Sequence, residues 1–156
     1  MSPASPASQA DAQSVYSGQM TIRPASPGLS AARRQLSRVA RYLCIADEKT
    51  ADLLIAFGEA LSNAYRHGSP DARTNLIYIG WRFSGEVLTV TVKDEGDGFV
   101  PRKAACRLAE AAASRGHGIR LMRQGVDEVY FKFEGGAKVV LKKRISPIRT
   151  EGTPRQ

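Results

Sequence analysis

The spacing of apolar residues changes several times along the chain, and each change marks an element. Leu36, Val39, Ala40 and Leu43 recur at steps of three and four, the period of a helix with one buried face. Arg33, Arg34, Arg38 and Arg41 fall on the opposite side. Ser30 can cap this helix, which is expected to run to about Leu43. A second helix is expected from Ala46-Asp47 to Gly68, with Leu54, Phe57, Leu61 and Ala64 as its buried stripe and Pro70 beyond its end. The period then shortens to two. Thr74–Phe83 and Glu86–Lys93 read as strands joined at Ser84-Gly85. In the second of them, Leu88, Val90 and Val92 point one way, and Thr89, Thr91 and Lys93 the other.

Helical spacing returns after Ser114, with Ile119, Met122 and Val126 on one face. VYFKF and AKVVLKK then alternate as a hairpin around Glu134-Gly135-Gly136. A short strand in GQMTIR precedes the first helix, set off from it by Pro24 and Pro27. The order helix-helix, strand pair, helix, strand pair implies an α+β fold: a two-layer sandwich of helices on a mostly antiparallel mixed sheet. Residues 1–16, rich in Pro, Ala and Ser, are expected to be a disordered tail. Residues 17–145 then form one domain, and 146–156 a flexible basic tail.

Composition narrows the class. The chain has 156 residues, 42% hydrophobic and 24% charged, enough for one ordinary globular core. No apolar run is long enough to cross a bilayer, and the N-terminus has no signal-peptide pattern. A cytoplasmic setting without membrane contact is expected. Cys44 and Cys106 have no metal-ligand spacing and read as packing thiols. The net charge of +8 would attract nucleic acid, an anionic membrane or an acidic protein without deciding among them. The arginines of the first helix read as a solvated basic face. No aromatic-interleaved basic motif accompanies them, so no direct nucleic-acid contact is expected.

Three stretches carry candidate chemistry. EALSNAYRHG places Glu59, Asn63 and His67 at intervals of four, drifting about 40° per step along one helical stripe. That stripe lies beside the apolar one, at the margin of the core. A metal site, a catalytic row and a solvated face all fit it alone. In KDEGDGF, strand alternation turns Asp94 toward the apolar side, where a carboxylate is costly unless it is hydrogen-bonded. It either caps the following turn or meets a ligand brought close by Gly96 and Gly98. In SRGHG, Arg115, Gly116, His117 and Gly118 lead into a helix, where free N–H groups and the positive dipole end suit phosphate. Arg115 adds a multidentate donor. The stretch is neither a Walker loop nor a Rossmann turn, and a plain flexible glycine loop fits it equally well. Together the three make a coherent set. A buried carboxylate can accept from a base amine, an Asn carbonyl can ligate Mg2+, and a Glu one turn away can activate a nucleophile aimed at a terminal phosphate.

In this order the three stretches resemble the ATP-binding domain shared by GyrB, histidine kinases and MutL, the Bergerat or GHKL fold. They are most similar to the bacterial anti-sigma factor serine/threonine kinases, whose closing pattern resembles Val126-Asp127-Glu128-Val129 here. The likeness runs from about Gln19 to Lys143. It implies Glu59 as general base, Asn63 as Mg2+ ligand and Asp94 as acceptor of the adenine amine. It also implies Gly96, Gly98, Gly116 and Gly118 as shapers of the nucleotide loops, with Arg115 and His117 beside the phosphates. Residues 101–114 would form a short lid, and His67 would brace its helix end. The function implied is an ATP-dependent serine/threonine-protein kinase acting as an anti-sigma factor. It would bind a sigma factor and phosphorylate an anti-sigma-factor antagonist, with a homodimer as a further implication. Two alternatives stand beside it: a non-catalytic, nucleotide-gated regulatory module, and a detached histidine-kinase catalytic domain. Retention of both Glu59 and Asn63 favours activity; the short lid and the closing Val-Asp-Glu-Val argue against the histidine kinase.

Overall fold

The computed structural model describes residues 15–96, 116–133 and 135–145. Gly98, the 101–114 segment expected as a lid, Cys106, Arg115, residues 1–14 of the expected N-terminal tail and the whole expected C-terminal tail lie outside the described residues, and of His117 only the backbone is described. Tyr16, expected in the tail, is instead the first residue of a strand and pairs with Phe83. The elements follow the expected order: β1 (Tyr16–Ile22), α1 (Ser26–Tyr42), α2 (Asp47–His67), β2 (Ile77–Ser84), β3 (Val87–Lys93), α3 (Gly116–Gly125), β4 (Glu128–Phe133) and β5 (Ala137–Arg144). The five strands lie in the order β1-β2-β3-β5-β4, and every described pairing is antiparallel. The fold is α+β, with the sheet more regular than the mixed one expected.

Two element starts and the setting of one cysteine differ from expectation, each for a local reason. α1 begins at Ser26, a turn before Ser30, and Ala25 precedes it without a side-chain cap. Pro27 sits in the first turn, where its missing N–H removes no helical bond. β2 begins at Ile77 rather than Thr74 because residues 71–75 close on themselves. Arg73 N–H donates to Asp71 Oδ1 at 2.9 Å, and Asp71 N–H to Asn75 Oδ1 at 2.8 Å. Cys44 is exposed rather than packed. It takes φ +53° in the turn between α1 and α2, an uncommon conformation for a residue with a Cβ.

All three helices put their apolar stripes against one face of the sheet. Leu36 and Val39 of α1, Leu53, Phe57 and Leu61 of α2, and Met122 of α3 meet Leu88 and Val90 of β3 and Leu141 of β5 in one core. Leu53 is fully buried, while the expected Leu54 packs half-buried at its edge. Ala56, Ala60 and Ala64 give α2 a smooth inner side. Gly125 lies against the Asp52 carbonyl and the Ala56 methyl, so α3 crosses α2 at close range. Lys143 fastens the end of α3 from the sheet, donating to the Gly125 carbonyl at 2.9 Å and approaching Asp52 at 3.9 Å. The arginines of α1 face outward as expected.

Phe57 is wholly buried where helices and sheet meet. Phe57→Ala should therefore cost about 3–5 kcal/mol, read as a lower urea midpoint with an unchanged slope. Ile55→Ala, at a position 47% exposed on the same helix, should stay within about 0.5 kcal/mol of wild type.

Candidate functional site

The stripe on α2 lies where its spacing suggests. Glu59 and Asn63 are half-buried and His67 is exposed, flanked by the buried Ala56, Ala60 and Ala64 on one side and exposed Ile55, Tyr65 and Arg66 on the other. What stands beside Glu59 is the first turn of α3. A Cβ on Gly118 would lie 3.1 Å from Glu59 Oε2, tighter than ordinary packing, so a glycine lets this turn rest against the carboxylate. The N–H groups of a first helical turn have no partner within the helix, and α3 carries no acidic residue there. The segments of Glu59 and of Gly116–Gly118, far apart in sequence, thus form one local site.

The C-terminal end of α2 meets Asp94. The alternation of β3 carries past Lys93, so Asp94 continues the inward row of Leu88, Val90 and Val92. Among the described residues it is the one buried charged side chain, 4% exposed. Its Oδ1 accepts the N–H of Ala137 at 2.8 Å and that of Gly96 at 3.0 Å, while its own N–H donates to the Ala137 carbonyl at 3.0 Å. The Asx bond to Gly96 is present, but the bonds to Ala137 tie the residue to the start of β5 as well. Burial pushes the Asp94 carboxyl above the usual carboxylate range. The N–H groups of Ala137 and Gly96, then the positive fields of His67 and Lys93, pull the other way. His67 therefore acts on Asp94 electrostatically from the last residue of α2.

Two glycines make this seat, and the sequence alone presents them as something else. Gly68 reads as a helix stop, yet its φ is −96°, outside the left-handed region. A Cβ there would fall inside the Asp94 carboxylate. Gly136 reads as part of a hairpin turn; it takes φ +132°, and a Cβ on it would collide with the Asp94 carbonyl. Gly96 closes the third side, where a Cβ would be 3.2 Å from both Asp94 Oδ1 and Gly68 Cα. The one signal for Gly68 in the sequence is that it directly follows the Glu59-Asn63-His67 stripe.

Glu95 is a further residue that sequence reasoning missed. It points away from Asp94, accepting the Leu76 N–H at 2.8 Å and the Tyr78 hydroxyl at 2.5 Å. These donors hold its carboxyl below the usual range, the Tyr78 bond first among them, and the same bond raises the Tyr78 phenol. Asp94 is gripped from the core side and its neighbour from the other. From Glu59 to Gly68 is nine residues, about 13.5 Å along the axis of α2. Of the expected site residues, Glu59, Asn63, Asp94, Gly96, Gly116 and Gly118 therefore sit along the C-terminal half of α2, from its middle to its end.

Known proteins repeat this arrangement of elements. Two curated relatives are serine-protein kinases named RsbW. The one from Oceanobacillus iheyensis is 26% identical over 132 residues, 79% of this chain and 84% of its own. The one from Bacillus subtilis is 28% identical over 131 residues, 76% of this chain and 79% of its own. A crystal structure of the RsbU and RsbW domains of a Mycobacterium tuberculosis protein superposes with a TM-score of 0.64. It covers 83% of this chain at 18% identity, a likeness of fold, and this chain spans 32% of that longer one. Residues 23–143 match the profile of the histidine kinase-like ATPase domain. That span is most of the chain and holds Glu59, Asn63, Asp94 and Gly118: the protein belongs to the histidine kinase-like ATPase domain family.

Proposed function

We propose that this protein is an ATP-dependent serine/threonine-protein kinase that works as an anti-sigma factor. It binds a sigma factor and phosphorylates a Ser or Thr of an anti-sigma-factor antagonist, in the cytoplasm. The observation that carries the reading is the pairing of two fixed points on one helix. Glu59, midway along α2, lies against the first turn of α3, and Asp94 is seated against Gly68 at the helix's C-terminal end. About 13.5 Å between them suits a nucleoside triphosphate laid from base to γ-phosphate. The two RsbW kinases, matched over most of their length, support the same reaction.

Each residue then has a role its surroundings suit. Asp94, seated among Gly68, Gly96 and Gly136 with its backbone bonds on Oδ1, accepts the exocyclic amine of adenine on Oδ2. The N–H groups at the start of α3, which have no partner within the helix, take phosphate oxygens, with Arg115 as an added donor. Asn63, half-buried one turn from Glu59, offers a carbonyl oxygen to Mg2+; the ion, when bound, neutralises charge on the phosphates. Glu59 takes the proton of the substrate hydroxyl as its oxygen bonds to the γ-phosphorus. The bond from that phosphorus to the β–γ bridging oxygen breaks, and ADP leaves.

With γ-labelled ATP, Mg2+ and the antagonist, acid-stable label should appear on a serine or threonine and vanish with EDTA. Glu59→Ala should reduce transfer by about 10²–10⁴-fold while nucleotide binding persists. Acid-labile label on a histidine would replace the reading with a histidine kinase. Tight ATP binding without transfer to the bound antagonist would leave a regulatory module.

The pH dependence has a definite sign. Because the Asp94 carboxyl is raised, its ionisation opposes folding. Its contribution to stability is complete below the ordinary carboxylate range and is lost as pH rises through the raised value. Nucleotide binding runs the other way, since an amine donor favours the ionised carboxylate. Affinity should rise with pH by up to about tenfold per unit below that raised value and level off above it. Titration calorimetry across this range should find the slope in wild type and a flat profile in Asp94→Asn. A flat wild-type profile would remove Asp94 from the base contact.

A further inference from the structure

The three helices cover one face of the sheet, and among the described residues no element covers the other. Strand register arranges that open face in rows. Lys93 of β3, Lys138 of β5 and Lys132 of β4 stand directly opposite one another in one row. Side chains so paired have Cβ atoms about 4.5–5.5 Å apart, and like charges there destabilise a sheet. Lys93 lies in the field of Asp94 and Glu95. Lys138 and Lys132 form no ion pair with any described acid. The free chain therefore carries an electrostatic cost in this row.

The next row, two residues along, is Gly80, Thr91, Val140 and Tyr130, uncharged and low at Gly80. Beyond it Arg82 and Lys142 bound a shallow hollow of about 310 Å³, with Arg144, Asp127 and Glu128 also in its lining. Here charge is mixed: Lys142 approaches Glu128 at 3.6 Å and lies 5.1 Å from the centre of the Tyr130 ring. A neutral strip bordered on one side by three lysines and Tyr78, and on the other by mixed charge, has the anatomy of a protein interface.

We propose that this open face docks an acidic protein surface, with carboxylates meeting the Lys93–Lys138–Lys132 row and small apolar side chains meeting the Gly80–Thr91–Val140 strip. The chemistry favours a protein over the other polyanions. Glu95 and Glu128 interrupt the positive surface at opposite ends, which opposes a continuous phosphate backbone. Tyr130 and Tyr78 have their hydroxyls committed to Glu128 and Glu95, and no row of free rings is offered for base stacking. A membrane would want a wedge of large apolar side chains; Val140 is the strip's one aliphatic residue, and the rings of Tyr130 and Tyr78 are tied by their hydroxyls to Glu128 and Glu95. The surface lies across the sheet from Glu59 and Asp94, so it is independent of the nucleotide reading.

The test compares Lys132→Glu/Lys138→Glu with Arg34→Glu/Arg38→Glu, which removes the same charge from α1. Fluorescein-labelled poly-L-glutamate serves as the acidic-protein probe, read by anisotropy at low and moderate salt. The sheet variant should lose at least tenfold in affinity and most of the salt dependence, and the α1 variant less than twofold. Lys138→Glu alone, which sets an acid between Lys93 and Lys132, should melt at or above the wild-type temperature because the like-charge row is relieved, and ATP affinity should be unchanged in every variant. Equal losses in the two variants would reduce the effect to net charge and overturn the proposal. So would a loss confined to oligo-dT or phosphatidylserine vesicles, or a wild-type dimer dissociated by the sheet variant.

Discussion

A carboxylate inside a protein must be held by hydrogen bonds or given up, and Asp94 is held. Its Oδ1 takes two backbone N–H groups, from Gly96 and Ala137, and those bonds join three parts of the chain. They terminate β3, begin β5 and fix Gly96 beside Gly68. The same carboxylate requires α2 to end in a residue without a side chain. Removing the acid would release the helix end, the strand start and Gly96 together. The site geometry is thus a consequence of desolvation, solved locally by backbone donors and glycines.

The periodic part of this structure was legible because burial selects for spacing. Leu88, Val90 and Val92 gave the inward face of β3, and continuing their alternation by one step predicted the inward Asp94. Leu36, Val39 and Ala40 gave the buried side of α1 in the same way. What escaped were features set by partners distant in sequence. Gly68 is indistinguishable from an ordinary helix stop until Asp94 is known to be beside it. Glu95 looks like a solvated neighbour until Leu76 and Tyr78 reach it across a strand pair. Ser30 was a reasonable cap by residue type, yet Pro27 admits the helix a turn earlier.

The open face of the sheet illustrates the same divide. Lys93, Lys132 and Lys138 are scattered along the sequence, and no local pattern joins them. Only the register of β3, β5 and β4 brings them into one row. The net charge of the chain said that anions would be attracted; the register says where three like charges are forced together. Meanwhile Arg34, Arg38 and Arg41 are exposed on α1, and Arg33 lays its guanidinium against Gly58 of α2. The two basic clusters are alike in charge and different in setting.

Because both ends of the proposed cleft are fixed to α2, that helix acts as a gauge rod. Inserting or deleting one residue between Glu59 and Gly68 would change the separation by about 1.5 Å and rotate one end against the other by about 100°. A rotation of that size would take Glu59 away from α3 or Gly68 away from Asp94. The segment can therefore accept many exchanges of side chain but no change of length. The turn at 71–75, which closes on its own side chains, is where the chain can gain or lose residues instead.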